Sequence, residues 1–391
     1  MKLPLRLLAT LCVLTLLSAC GSNADDPDPI PLDPEEEEDE EQEVEVNGVP
    51  QFYLLDADGN PSENDPVITV IADSSDSISS PNDLEFHPFA ERSDELWIIN
   101  EGNLNTGGST VTLFAAGTDD QDALWLRDGN AWHFLSLPTQ MAFSDNGNWA
   151  SGTGSQDNNQ AGGSYAGPSL WSSDFDIYAA VGDPPTADVN GSHLDMLHGS
   201  PFSMGIAHEE EHAFWVFDGY HGNLVRYDFQ EPHYPGGWDH SDGIIHRYVE
   251  IEVERHESLP SHLVLDKEAN ILYVSDTGNQ RILAVDITAG EFARHTPANE
   301  LLEEHGEMEG ASFEVLVDES LVDPSGIALH DGILFVSEPI VGDVIAFDAE
   351  TGDELDRIHV GGGIRGLTIG PDDRLWIADY DNSRILRIDP Q

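Results

Sequence analysis

The stretch PSHLVLDKEANILYVSDTGNQRILAVD (260–286) holds three apolar runs separated by two polar turns. LVL leads into the turn DKEAN, ILYVSD closes on an acid, and TGNQ returns the chain into RILAVD. Apolar and polar residues that alternate between turn signals form the pattern of antiparallel strands. PSGIALHDGILFVSEPIVGDVIAFD (324–348) and IRGLTIGPDDRLWIADYDNSRILRID (364–389) repeat the pattern. Aligned on the first strand, copies start at Asn82, Thr139, Ser203, Ser261, Ser325 and Arg365, with a degenerate second strand in the copy around 148–152. Internal repetition of one supersecondary unit sets the architecture before any residue chemistry is read.

Six four-strand units in this length predict an all-β fold, a six-bladed β-propeller. The last copy supplies only three strands, at 364–369, 374–378 and 384–388. Val67 to Ile71 forms an unassigned strand ahead of the first copy and is expected to close the ring. Helix is expected only as a turn or two around 298–309. The copies resemble NHL repeats: a Gly-Ile-Ala-like first strand, an aromatic-Val-Ser-Asp second strand, then Asn-x-Arg. Asp276, Asn279 and Arg281, and Asp379, Asn382 and Arg384, match that motif. The resemblance implies that these side chains stabilise the turn between blade strands. It says little of function, since such propellers include binding modules, lyases and lactonases.

Lys2 and Arg6 precede the short apolar run from Leu7 to Leu17, which reads as a signal peptide (1–19). Leu17-Ser18-Ala19-Cys20 resembles the lipobox of bacterial lipoproteins. That implies acylation of Cys20 (palmitate among the acyl groups), a membrane anchor, and residence in the cell envelope, with Ser22 pointing to the outer membrane. Residues 21–45 carry thirteen acids and no base, so 20–45 is expected to be an extended, disordered tether ahead of the propeller at 46–391.

The whole chain holds 75 acids against 15 Lys and Arg, a formal charge of −60. That field repels phosphate backbones, so no nucleic-acid partner is expected. Lys267 is the one lysine beyond the signal peptide. Strong acidity with few lysines suits high salt, where counterions screen the self-repulsion.

In a propeller the inner-strand mouths and the joining loops share one face. Asp83, Gln140, Tyr220 and Arg365 are the expected ligand-binding residues there. His198 and His256 each lie five residues before an aligned serine. With His193 and His262 they form the expected metal set, for Zn²⁺ or Cu²⁺, with Ca²⁺ the alternative. Peptidyl-amidoglycolate lyases have a similar repeat pattern and place metal-binding His directly after the Pro of several inner strands. This chain has Asn82, Thr139, Ser261 and Ser325 at those positions. Pro81-Asn82-Asp83-Leu84 is similar to the Pro-Asn-Gly strand of calcium-dependent lactonases.

His208-Glu-Glu-Glu-His212 spells the zinc-protease string, but that chemistry needs a helix, and here the string falls in a hairpin turn. With His233, Asp239, His240, Asp242 and His246 it is expected on the opposite face, where a second cation site would form. The insertion around 151–200 is a candidate lid. Two functions follow from these readings. One is a monomeric envelope module binding a protein or small ligand through its channel face. The other is a metal-dependent lyase or hydrolase using His198, His256 and His262, with Asp83 or Glu257 as base and Arg365 or Tyr220 stabilising negative charge.

Overall fold

Short polar turns dictate the local structure. His330 and Ile333 pair directly across the two residues Asp331 and Gly332. Both central residues have positive φ, 46° and 77°, as a type I′ hairpin requires, and Asp-Gly is the sequence that tolerates it. The computed structural model describes residues 66–389 except 187, 188 and 319. The expected signal peptide, Cys20 and the tether lie outside the described residues.

Blade one comprises Pro81–Phe86, Leu96–Asn103, Gly107–Phe114 and Asp122–Leu126, and blade two Pro138–Phe143, Trp149–Thr153, Ser169–Trp171 and Asp195–Met196. Blade three comprises Ser203–His208, Ala213–Asp218, Asn223–Asp228 and Ile244–Glu252, and blade four Leu263–Asp266, Ile271–Asp276, Arg281–Asp286 and Ser312–Val317. Blade five comprises Ile327–His330, Ile333–Glu338, Asp343–Asp348 and Glu354–His359. Blade six takes Ile364–Ile369, Leu375–Asp379 and Arg384–Asp389, and its outer strand is Val67–Ala72, as expected. Val67 pairs with Asp389 and Thr69 with Arg387, antiparallel. The first strands lie side by side around the ring, with that of blade six against that of blade one. The fold is a closed six-bladed β-propeller.

The core lies between blades. Trp97 of blade one packs with Phe143, Trp149 and Trp171 of blade two, and Phe335 and Val344 of blade five pack on Leu367 and Ile377 of blade six. Full burial of such side chains contributes roughly 1.5–3 kcal/mol each. Close backbone approach fixes small residues on the inner strands. A Cβ on Gly205 would stand 2.0 Å from the Ser261 carbonyl oxygen of the next blade.

Two expectations change. The segment 298–309 is not helical: Glu291–His295 and Glu304–Glu309 form a hairpin. This excursion, inserted before the outer strand of blade four, adds to Ile244–Glu252 of blade three in parallel. The exposed edge of blade three offers unpaired backbone groups, and the hairpin satisfies them. The insertion around 151–200 is also not one lid, because it contains the two short outer strands of blade two.

Candidate functional site

An inner strand has a sheet neighbour on one side only, so its free N–H groups need partners from other blades. Asp83 and Gln140 supply them. Asp83 Oδ2 accepts from Met141 N at 2.9 Å, and Gln140 Oε1 accepts from Ile206 N and Leu263 N at 2.8 and 2.9 Å. Glu85 Oε2 takes Phe143 N at 2.7 Å in the same way. Arg365 bridges the channel mouth. Its guanidinium donates to Asn82 Oδ1 and to Ser258 O (3.2 Å) and stacks over Tyr380, 3.3 Å from the ring centroid.

These inner strands enclose a cavity of about 320 Å³ whose walls include Asp83, Glu85, Gln140, Met141, Val264 and Thr368. Burial pushes the Glu85 carboxyl up to about 8, against the pull of Phe143 N–H and Lys267. Asp83 is raised well above its usual range, again chiefly by burial. The cavity thus presents two carboxyls that resist ionising.

The expected metal set does not assemble as one site. His262 is buried beside the channel, with Nε2 on Thr139 O at 3.0 Å and Nδ1 3.6 Å from Asp83. His256 is half-buried and faces Ser258. Tyr220 is half exposed, its N–H donating to Asp218. His193 and His198 lie elsewhere. They flank Asp195–Met196, the outermost strand of blade two. That strand is two residues long, so both histidines approach the same point on the outer rim rather than the channel mouth.

A second group of side chains joins them there. The connection 229–243 of blade three folds back on blade two, with Asn190 N donating to Gly236 O (3.1 Å) and Gly236 N to His193 O (2.8 Å). It brings in His233 and His240, which sequence reading assigned to a separate site on the opposite face. The connections between third and fourth strands all leave one end of their blades, and His193 lies in one of them. The blade-four excursion adds Glu300. One ligand atom from each of His193, His233 and His240 lies within 4.8 Å of the others, and the same holds for His198, His240 and Glu300.

The imidazoles are held from one side. Nδ1 of His193 faces Asn190 O (3.1 Å), that of His233 faces Tyr234 O (2.7 Å), and that of His240 faces Glu300 Oε2 (3.3 Å). His198 Nδ1 faces Glu300 Oε1 at 3.0 Å, and its backbone N–H donates to the same oxygen at 2.7 Å. All four Nε2 atoms are buried without a hydrogen-bond partner among the described residues, and so is Asp195 Oδ2. Phe134 stacks on His193 and Tyr165 on His198, each at 3.5 Å between centroids. Burial lowers His193, His198 and His233, which favours their neutral forms, whereas Glu300 and Asp195 outweigh burial at His240 and raise it. Burial also acts on Glu300, but bonds to His198 and His240 outweigh it and hold the carboxylate at about 2.

The remaining candidates are occupied. The string 208–212 spans the turn between Ser203–His208 and Ala213–Asp218, with His208 on Lys267, His212 on Asn146 and Glu209 on Arg226. His246 pairs with Glu304 at 2.7 Å. The Asp-Asn-Arg motif is structural. Asp276 accepts from Arg281 Nε (2.8 Å), Asn279 (2.9 Å) and Glu254 N (2.7 Å), and Asp379 accepts from Asn382 and Arg384.

Sequence reading missed His233, His240 and Glu300 as partners of His193. The available signal was that each lies in a connection longer than a blade turn requires.

The architecture defines the class: a six-bladed β-propeller with a channel cavity and a histidine cluster on its rim. No protein-family model matches the chain, and no curated protein matches it. Among solved structures, an auxiliary nutrient binding protein from Bacteroides ovatus superposes with a TM-score of 0.51 at 10% identity, over 84% of this chain and 78% of that one. A streptogramin B lyase gives 0.49 at 12% identity, over 83% and 98%, and a luciferin-regenerating enzyme 0.49 at 11%, over 83% and 95%.

Proposed function

We propose that the chain is an exported lipoprotein, anchored through acylated Cys20, whose propeller binds a small ligand in its central channel. The channel cavity carries this reading, because Asp83 and Glu85 line it as carboxyls that burial keeps from ionising. A ligand bearing an amine or several hydroxyl donors would satisfy them, and a cationic one would restore their charge. Concave sites with a few convergent polar groups are the usual form of small-molecule sites. The Bacteroides ovatus protein that shares the fold is named as nutrient binding, a role in keeping with this one. The tether would hold the propeller clear of the membrane, and the surface charge makes anionic lipid or nucleic acid a poor partner.

The test is a thermal-shift panel of polyamines, amino sugars and neutral sugars on the intact protein and on Glu85→Gln. A ligand that raises the melting temperature of the wild type, and less so that of the variant, supports the reading. A panel that shifts neither protein refutes it. The anchor is tested separately by metabolic labelling with palmitate: Cys20→Ala should lose the label and leave the membrane fraction.

A further inference from the structure

We infer that the outer rim between blades two and three binds one divalent transition-metal ion of the Zn²⁺ or Cu²⁺ class. His193, His233 and His240 hold it through Nε2, with Glu300 and His198 positioning His240 from behind. The inference stands apart from the channel ligand.

The donor set decides the metal class. Three imidazole nitrogens suit zinc and copper, whereas calcium and magnesium take oxygen ligands. The orientation is already that of a metal centre. In such centres each ligating histidine gives its other ring N–H to a carbonyl or carboxylate, which fixes tautomer and direction. Here the Nδ1 partners are Asn190 O, Tyr234 O and Glu300 Oε2, and the Nε2 lone pairs are left over. Tetrahedral Zn–N bonds of 2.0–2.1 Å place donor atoms about 3.4 Å apart, and one ring nitrogen from each of the three histidines lies within 4.8 Å of the others. Small rotations close that gap.

Energetics point the same way. A buried polar atom without a partner is destabilising, and this rim buries several in one place. Natural proteins rarely leave such a concentration uncompensated. Two long connections from blades three and four are also ordered here, at a conformational cost. A cation satisfies the lone pairs and staples both segments to blade two. Glu300 is in the outer shell: its carboxyl oxygens face His240 on one side and His198 on the other and fix their orientation.

The full chain, purified without a histidine tag and stripped with EDTA, is titrated with ZnSO₄ and separately with CuSO₄. Millimolar CaCl₂ saturates the surface carboxylates. One tight equivalent is expected, abolished in His193→Ala and in His240→Ala and retained in His256→Ala. Glu300→Gln should weaken it about 10–100-fold, as outer-shell losses do. Circular dichroism and the metal-free melting temperature establish that each variant folds. Should an alanine variant fail to fold, His233→Cys decides: loaded with Co²⁺, it should show a thiolate-to-metal charge-transfer band absent from the wild type. Three results would overturn the inference. They are no tight equivalent, tight binding that survives in the folded His193/His233/His240 triple alanine variant, or a Co²⁺-loaded His233→Cys without the band.

Discussion

Replacing Arg247 by methionine removes a buried charge while keeping most of the stem volume. Arg247, on the outer strand of blade three, donates to Asp218 Oδ2 at 2.6 Å, to Asn223 Oδ1 at 3.3 Å and to Gly199 O. The Asp218 side chain is 0% exposed. Losing one member of a buried pair costs roughly 3–5 kcal/mol, because the other charge stays behind. Asp218 keeps three donors, Tyr220 N, His221 N and His221 Nδ1. The lower end applies, about 3 kcal/mol. For a domain of this size each kcal/mol is worth about 1.5 °C, so the melting temperature should fall by about 4–5 °C. The assay is urea unfolding of the wild type, Arg247→Met, Asp218→Asn and the double variant. The double variant should cost less than the sum of the singles by about 1.5 kcal/mol or more. A single-variant cost below about 1 kcal/mol, or additive singles, would refute the claim that this pair holds blade three to the 199–200 turn.

Gly205→Ala should destabilise by about 3 kcal/mol or more, read as a lower urea midpoint, since the new Cβ meets the Ser261 carbonyl at 2.0 Å and backbone must move. Between about pH 4.5 and 8 the unfolded chain ionises Glu85 while the folded one keeps its proton, so stability should fall as pH rises through that window. Glu85→Gln should flatten the fall, and an unchanged slope in urea titrations across the window would refute the burial argument. With a formal charge of −60, the melting temperature should climb as KCl is raised from low to molar concentration. A flat profile in differential scanning calorimetry would count against surface self-repulsion.

The propeller was legible because it repeats. Six aligned strand pairs and the spare strand at Val67 to Ile71 require only period-two patterning and turn chemistry, both local properties. The Asp-Asn-Arg turns were legible for the same reason. The rim cluster was not, because its parts come from connections that follow no repeat. His193 and His198 could be placed only by knowing that the strand between them is two residues long. Glu300 could be placed only by knowing that its hairpin leaves blade four for the edge of blade three. Edge pairing of this kind depends on which backbone groups the fold leaves free, and that is decided after the blades have formed. Channel residues such as Asp83 and Gln140 were found by position. Their bonds to N–H groups of other blades follow from the ring itself.

The most direct measurement is anomalous diffraction from crystals of the zinc-loaded protein, collected on both sides of the zinc absorption edge. A single strong peak about 2.0–2.1 Å from Nε2 of His193, His233 and His240 is the predicted result. A peak in the channel beside His262, a peak on surface carboxylates, or no peak at the rim would contradict it.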